Sequence, residues 1–297
     1  MRDSANPDWV NQFRSTPKNP LPAGAWDTHA HVFGPFAQYP LMPGCPYLPP
    51  IAPREAHLAG LETAGFGFGA LVHASANGFD NSGVLDAVAA APQRLHAVGV
   101  VAADSPATTL EAMHWAGMRA LRFCETGPAY GGPKPIGVLG LESLKDFAPV
   151  MRELGWYADI WAKAAYVVEA MPWLSALGLP LVLDHMGNYD ADEGVDGPAI
   201  SALRNRVAEG NIWVKLCATR VTRGAWPDYA DVRPFHDAFL EAAPDRMIWG
   251  SDWPYIMMDK ATPDIGGQVD LFDAWTADDT LRRKVFVDNP RALFGTP

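Results

Sequence analysis

The stretch AWDTHAHVF at residues 25–33 places two histidines, His29 and His31, two positions apart. Residues i and i+2 of a β-strand point to the same side, so the two imidazoles would lie roughly 6–7 Å apart along the strand. Two neutral imidazoles in this arrangement can bind a zinc ion, or they can polarise a carbonyl group and transfer protons near neutral pH. The pair alone does not decide between these chemistries and a structural role.

Further ionisable residues end other predicted strands: His73, Arg122, Asp184, His185, Lys215 and Asp252. Strands of a parallel sheet that is covered on both faces are expected to end in apolar residues, so this convergence predicts an active site. Strict alternation along a strand turns Asp184 to the side opposite His185, which predicts that Asp184 does not lie beside it in the site. We expect Asp184, His73 and Lys215 to support the site rather than to act in it.

Eight short apolar or β-branched runs are predicted strands, and segments of helical periodicity separate them. This alternation predicts parallel βαβ units, and eight such units in 297 residues predict a single-domain, distorted (β/α)8 TIM barrel. An open doubly wound sheet is less favoured, because no G-x-G-x-x-G or P-loop motif follows a strand. The predicted strands are 25–32, 69–74, 95–102, 118–123, 156–161, 180–186, 212–218 and 246–251, and the predicted helices are 53–64, 81–92, 106–116, 141–154, 164–177, 198–209, 232–243 and 276–288.

The barrel is predicted over residues 25–297, and residues 1–24 are predicted to form a proline-rich, loosely structured arm. Two connections that follow strands, 33–52 and 124–140, are longer than a barrel needs. Connections after strands lie at the face of the barrel where active sites are found, so both are predicted to form walls of a substrate site.

The formal net charge is -11, from 34 acidic and 23 basic residues, which argues against nucleic acid or an anionic membrane as a partner. No apolar run reaches the roughly 18 residues of a membrane-spanning helix. The N-terminus lacks the apolar core of a signal peptide, so we expect a cytoplasmic protein. Three widely spaced cysteines, Cys45, Cys124 and Cys217, predict neither a disulfide framework nor a cysteine zinc site. The oligomeric state is left open.

Several motifs carry a family resemblance. DTHAHVFGP, VLDHMG, IWGSDWP and NPRALFG, in this order, resemble the amidohydrolase superfamily. HAHVFGPFAQYP, CPYLPP, VHASANGFDN, RALRF and LDHMGN are similar to its branch of 2-pyrone-4,6-dicarboxylate hydrolases and related lactonases, over about residues 22–295. The resemblance implies hydrolysis of a cyclic ester on a (β/α)8 barrel.

The resemblance also bears on a metal cofactor. Zinc-dependent members of the superfamily bind the metal through the H-x-H pair, a histidine that ends the fifth strand, often a carboxylated lysine or Glu that ends the fourth, and the Asp that follows the eighth. In this chain the fourth strand offers Arg122 and the fifth offers Trp161. We therefore expect no metal cofactor, and the alternative is zinc bound by His29, His31 and Asp252.

The resembled lactonases use the Asp after strand eight to activate the hydrolytic water, which assigns the role of general base to Asp252. His29, His31 and His185 are expected to polarise the lactone carbonyl, at least one of them as a protonated donor.

Arg122 is expected to bind an anionic substituent of the substrate, because a planar guanidinium matches a carboxylate or a sulfonate. The relatives have a second arginine where this chain has Pro128, and Arg220, or less favourably Arg223 or Lys134, could supply the missing positive charge. Further substrate contacts are expected from Tyr47, Ser75, Asn77, Trp161 and Arg220.

Together these residues predict a hydrolase of aromatic catabolism that opens a small anionic lactone, similar to 2-pyrone-4,6-dicarboxylate, muconolactone or sulfomuconolactone. A lactonase for sugar-acid lactones of the aldarate or aldonate type and a lactone isomerase are alternatives. A zinc-dependent amidohydrolase or decarboxylase and a non-catalytic binding protein on the same barrel are also retained.

Overall fold

The computed structural model describes residues 15–45, 47–125, 137–258 and 262–295. Eight parallel strands pair with one another in the order in which they occur in the chain, which confirms the eight predicted strands and the predicted (β/α)8 barrel. The strands are β1 (Trp26–Ala30), β2 (Phe68–Val72), β3 (Leu95–Gly99), β4 (Met118–Glu125), β5 (Tyr157–Ala162), β6 (Leu181–Leu183), β7 (Ile212–Leu216) and β8 (Met247–Trp249).

Backbone hydrogen bonds between the residues that follow β1 and β8 join the first strand to the last. His31 N donates to Trp253 O at 2.8 Å, and Asp252 N donates to His29 O at 2.8 Å. The closure of the barrel therefore uses the same short segments that carry the predicted catalytic residues.

Helices separate the strands as predicted, except near the C-terminus. The helix at Ile265–Trp275 was not predicted, and its Gly266 and Gly267 are poor helix formers. The predicted helix 276–288 is instead a short helix followed by a π-helical turn at Lys284–Asp288. The helices are α1 (Arg54–Ala64), α2 (Ser82–Ala90), α3 (Ala107–Trp115), α4 (Leu144–Glu153), α5 (Ala164–Ala176), α6 (Pro198–Ala208), α7 (Arg233–Ala242), α8 (Ile265–Trp275), α9 (Asp279–Arg283) and α10 (Asn289–Phe294).

An apolar ring fills part of the barrel interior, with one side chain from each strand from β2 to β8. Its members are Val72, Val98, Ala120, Tyr157, Val182, Trp213 and Ile248. Alternate residues of a strand share a face, so the residues two positions further on also point inward. On β4 to β7 these are Arg122, Asp159, Asp184 and Lys215, which are buried. The apolar ring thus supports a polar layer towards the carboxyl ends of the strands.

Residues 15–24, the described part of the predicted arm, contain no helix or strand. They are held against the C-terminal helices, where Arg282 donates to Pro20 O and Asn19 O, both at 2.9 Å. The three cysteines are free thiols. Pro128 and Lys134, in the connection after β4, lie outside the described residues. In the described part of the chain, no helix has the length and apolar character needed to cross a bilayer.

Candidate active site

His29 and His31 face each other at the carboxyl end of β1, with ring centroids 4.9 Å apart. His31 Nδ1 lies 2.8 Å from Val72 O, and because a carbonyl oxygen only accepts, Nδ1 carries the ring hydrogen. The lone pair of neutral His31 is therefore on Nε2, which lies 3.4 Å from Asp252 Oδ1. His29 Nε2 lies 3.8 Å from the same oxygen and has no hydrogen-bond partner among the described residues.

Asp252 presents its two carboxylate oxygens to different neighbours. Oδ2 accepts from Thr219 Oγ1 at 2.9 Å and lies 2.6 Å from Arg220 Nε. Oδ1 faces the two histidines and, within the described ranges, accepts no hydrogen bond. Burial alone would raise the pKa of Asp252, but Arg220 and the adjacent histidines lower it well below its usual range. Asp252 is therefore an ionised carboxylate with one oxygen available, which is what a general base requires.

Burial lowers the pKa of His29, His31 and His185, although nearby carboxylates act in the opposite direction. The pKa of His185 falls to about 4. These lowered pKa values favour the neutral form of all three rings at neutral pH and so argue against an imidazolium donor; the catalytic form of the rings stays a prediction. The physical reason is that removing the rings from water disfavours their charged form by more than the carboxylates favour it.

Beside the histidines, two buried carboxylates face two buried cations. Lys215 Nζ contacts Asp159 Oδ2 and lies 2.9 Å from Asp184 Oδ1. His29 Nδ1 is tied to this network, 3.0 Å from Asp184 Oδ1 and 3.1 Å from Lys215 Nζ. Burial favours the neutral form of Asp184, yet Lys215, His29 and Arg122 hold its pKa well below the usual range. Asp184 is paired with two buried cations, so it anchors the ring of His29 without being an uncompensated buried charge.

The predicted separation of Asp184 from His185 is wrong. Asp184 follows Val182 of the apolar ring by two positions and points inward, and ligand atoms of His29, Asp184 and His185 lie within 4.8 Å of one another. The alternation fails because β6 ends at Leu183 and His185 has a φ of 47°. This left-handed backbone turns the His185 ring back towards the side that Asp184 already faces.

Arg122 reaches the site with most of its hydrogen-bonding capacity already used. Nε and Nη2 donate to Asp184 Oδ2 at 3.2 and 2.7 Å, and Nη1 donates to His73 O at 3.1 Å. A guanidinium has five N–H groups, so two remain for an anion. The Arg122 Cζ atom lies 5.3 Å from the centre of the Trp161 ring, whose Nε1 has no partner in the described part of the chain. The same ring lies 6.0 Å from that of His185.

Arg220 is paired with the base, and its Nη1 donates to Ile256 O at 2.7 Å; its predicted contact with substrate stays a prediction. Tyr47 and Ser75 are half-buried in the connections after β1 and β2, and Asn77 lines a cleft beside Gly34 and Arg54. Their roles as substrate contacts stay predictions. Arg223 is exposed and bound to acidic surface residues, as expected for a surface charge.

Two contributors were not predicted. Thr219 donates to Asp252, and Cys217 Sγ lies 3.3 Å from His185 Nδ1. Cys217 and Thr219 follow Lys215 by two and four residues, in the segment after β7. That spacing was visible in the sequence, but their short side chains carry no charge and gave no chemical signal.

The zinc alternative can be tested against the donor atoms. Among the described residues, His29, His31 and Asp252 each offer one ligand atom, and these atoms lie within 4.8 Å of one another. Ligands about 2.0–2.2 Å from a tetrahedral zinc ion are themselves roughly 3.4 Å apart, so small shifts would allow the three to bind one cation. The orphaned His29 Nε2 and Asp252 Oδ1 fit such an ion, and they fit a water molecule equally well.

A closed parallel barrel, with an ionised Asp and several neutral histidines gathered at the carboxyl ends of its strands, defines a barrel enzyme equipped to activate water. The chain belongs to the amidohydrolase family, whose model matches residues 26–296.

Named relatives cover nearly the whole chain. A 4-sulfomuconolactone hydrolase of Rhizobium radiobacter is 35% identical, over 93% of this chain and 91% of the relative. A 2-pyrone-4,6-dicarboxylate hydrolase of Comamonas testosteroni is 31% identical over 97% and 96%, and a D-galactarolactone isomerase of Agrobacterium fabrum is 28% identical over 96% of each chain. The ligand-free crystal structure of an Agrobacterium tumefaciens protein superposes with a TM-score of 0.79, at 27% identity over 95% of this chain and 99% of that one.

Proposed function

We propose that this protein hydrolyses a small anionic lactone of aromatic catabolism, of the sulfomuconolactone or pyrone dicarboxylate type, and that it does so without a bound metal. The observation that carries the proposal is the free Oδ1 of Asp252, which faces the Nε2 atoms of His29 and His31 while Oδ2 is fixed. The hydrolase relatives support the lactone class. The cytoplasmic location stays a prediction.

A water molecule bound among these three atoms would have its hydrogens directed at Asp252 Oδ1 and at the lone pair of His31 Nε2. As its oxygen attacks the lactone carbonyl, its proton passes to Asp252. The bond from the carbonyl carbon to the ring oxygen then breaks, and the proton is returned to that leaving oxygen. His185 has its Nδ1 occupied by Cys217, so its Nε2 is the atom placed to donate to the developing oxyanion.

Arg122 and Trp161 would bind the anionic substituent of the lactone. Arg122 offers two remaining N–H groups, and Trp161 offers an indole N–H that lacks a partner in the described ranges. A sulfonate or carboxylate accepts hydrogen bonds from both groups. The charge-balanced pairing of Arg122 with Asp184 orients the guanidinium, so little side-chain entropy is lost on binding.

Acid release from a panel of lactones tests the proposal: 4-sulfomuconolactone, 2-pyrone-4,6-dicarboxylate and a galactarolactone, each against its uncatalysed rate. Asp252→Asn should lower kcat by about 10³-fold or more, because the amide cannot accept the proton. The control Asp196→Asn changes an exposed Asp whose side chain is 90% accessible, and it should be without effect. Full activity of Asp252→Asn would refute the mechanism, and wild-type inactivity on the whole panel would refute the lactone class.

A lactone isomerase is a second candidate, because one of the relatives carries that name and acyl migration uses the same proton transfers. Hydrolysis in ¹⁸O-labelled water places label in the product carboxylate, whereas isomerisation places none. A sugar-acid lactonase would show its highest kcat/KM on the galactarolactone of the panel.

A zinc-dependent reaction, hydrolytic or decarboxylating, is favoured by the convergence of His29, His31 and Asp252. These residues would hold the ion, which when bound lowers the pKa of a water ligand. Two features favour the metal-free reaction. Trp161 on β5 has an indole that cannot bind zinc, and Asp252 is paired with Arg220. Metal content of the purified protein, together with kcat after exhaustive chelation, decides: one zinc per chain and loss of activity on chelation would overturn the metal-free proposal.

A further inference from the structure

β7 and its extension carry three side chains at alternate positions, and each contacts a different residue of the site. Lys215 Nζ lies 3.1 Å from His29 Nδ1, Cys217 Sγ lies 3.3 Å from His185 Nδ1, and Thr219 Oγ1 donates to Asp252 Oδ2 at 2.9 Å. The strand ends at Leu216, where Cys217 N donates to Lys215 O at 2.9 Å in a tight turn, and Thr219 lies in the turn that follows. Local turns therefore direct these side chains into the site. All three side chains are buried.

Thr219 fixes which oxygen of Asp252 is used. Its hydroxyl donates to Oδ2, on the same side as Arg220, so the carboxylate plane is held by two donors and Oδ1 stays directed at His29 and His31. Thr219 Oγ1 also lies 3.4 Å from Cys217 Sγ. Because the Thr219 hydrogen is directed at Asp252, the two side chains are in contact between the base and His185, and each is left to act on its own partner.

Cys217 determines which nitrogen of His185 carries the ring hydrogen. Sulfur is a weak hydrogen-bond acceptor, whereas an imidazole nitrogen is a good one, so the favourable pairing has the thiol S–H donating to Nδ1. A neutral ring whose Nδ1 accepts must carry its hydrogen on Nε2. Burial raises the pKa of Cys217 well above its ordinary value, so the thiol keeps the hydrogen that this bond needs.

We propose that Cys217 and Thr219 are positioning residues of the reaction: Cys217 holds His185 as an Nε2–H donor for the oxyanion, and Thr219 holds Oδ1 of Asp252 towards the attacking water. Neither residue touches the reacting atoms, since each acts through the group that it holds. The kinetic part of this inference rests on the proposed lactone hydrolysis, and the tautomer of His185 does not.

Kinetics on the best lactone of the panel, with the variants Cys217→Ala, Cys217→Ser, Thr219→Val and Thr219→Ser, test the roles. Loss of an outer partner of this kind typically costs about 10–100-fold in activity. We expect Cys217→Ala and Thr219→Val to lose that much in kcat with KM within about twofold, because substrate affinity does not depend on these hydrogen bonds. The serine variants restore a donor and should recover most of kcat, with thermal unfolding showing that all four variants fold.

The ring ¹⁵N spectrum of His185, assigned by its absence in His185→Gln, tests the tautomer without any substrate. We expect a single Nε2–H form in the wild type and in Cys217→Ser, and a mixture or the Nδ1–H form in Cys217→Ala. An Nδ1–H wild-type ring would overturn the inference, as would equal kcat values for Cys217→Ala and wild type. A wild type that opens no lactone would refute the proposed function alone, since the spectrum would still test the tautomer.

Discussion

The backbones of His185 and Asp252 have φ values of 47° and 61°, in the left-handed region that residues other than glycine and asparagine rarely adopt. Histidine and aspartate are among the non-glycine residues that adopt this region most often, but each such residue still costs on the order of 1 kcal/mol, and such strain is concentrated at functional sites. Here the left-handed backbone directs both side chains towards His29 and His31, whereas a regular strand would point successive side chains to opposite faces. The strain therefore accompanies the geometry that the proposed reaction uses.

The neutral histidines lead to a pH prediction. The pKa of His185 is lowered to about 4 by burial, opposed by Asp252 and Asp184, and the pKa values of His29 and His31 are also lowered. Asp252 is ionised throughout the neutral range. With a sulfonated lactone, whose charge does not change, kcat/KM should be level across the neutral range up to about pH 8 and fall towards pH 4 as His185 and the other rings become protonated.

Initial rates across this range, corrected for spontaneous ring opening, check the prediction. A reaction that needs an imidazolium donor would instead lose activity as the pH rises through about 6.5, the ordinary histidine pKa. A descending limb near that pH would therefore contradict the neutral assignment.

At the scale of single residues, the sequence predicted which residues form the site better than it predicted where their side chains point. His29, His31, His185 and Asp252 come together because each follows a strand of the same barrel, and that much follows from topology. The inward position of Asp184 and the pairing of Arg220 with Asp252 depend on local backbone turns after β6 and on the direction of a long side chain. Neither is encoded in a periodic pattern, so neither could be predicted from spacing.

At the scale of elements, the contact between β1 and the end of β8 both closes the barrel and positions His29. Gly250 lies between them, and a Cβ atom there would come within 2.6 Å of His29 Cβ and 3.1 Å of His29 N. Neither segment can retreat easily, because the backbone hydrogen bonds of the closure follow Gly250 and Thr28 Oγ1 donates to Trp249 O at 2.8 Å just before it. Glycine is therefore required at position 250, because the backbone there approaches His29 too closely for a side chain.

Gly250→Ala should displace the ring of His29, lowering kcat/KM by about tenfold or more and the free energy of unfolding by about 1–3 kcal/mol, as overpacking usually does. Gly67→Ala is the matched control, since its Cβ would meet ordinary contacts at 3.5 Å and beyond. Kinetics and thermal unfolding of both variants test this. If the two variants had the same kcat/KM and the same stability, the close contact between β1 and Gly250 would not be needed to position His29.

The strands were predicted more reliably than the helices near the C-terminus. Buried parallel strands form continuous apolar runs that are easy to recognise, as in LVL at Leu181–Leu183. The helix at Ile265–Trp275 was missed because its glycine pair is required by packing: a Cβ on Gly266 would come within 2.3 Å of Ser15 O. Tertiary contact outweighs helix propensity there.

For the whole molecule, the buried ionisable groups determine how stability responds to acid. Five buried histidines have pKa values lowered by burial to about 3 or 4: His57, His73, His96, His185 and His236. Two buried carboxyl groups act oppositely, since burial raises the pKa of Asp27 to about 6 and that of Asp159 to about 7. Near pH 5 these seven groups alone make the unfolded chain bind about three more protons than the folded protein, which gives a slope of about 4 kcal/mol per pH unit. His29 and His31, whose pKa values are also lowered, add to this difference.

Because the unfolded state binds more protons, stability should fall as the pH drops from about 6.5 towards 4, and the midpoint of thermal unfolding should fall by at least about 5 °C between pH 7 and pH 5. The net charge of -11 shrinks over the same range, which relieves repulsion and so cannot produce the loss. His57 has no partner for either ring nitrogen among the described residues, so His57→Leu should remove about one proton from the difference and flatten the curve. Calorimetry of both proteins from pH 4.5 to pH 8 measures this, and an unchanged slope in His57→Leu would show that His57 is not buried as a neutral ring.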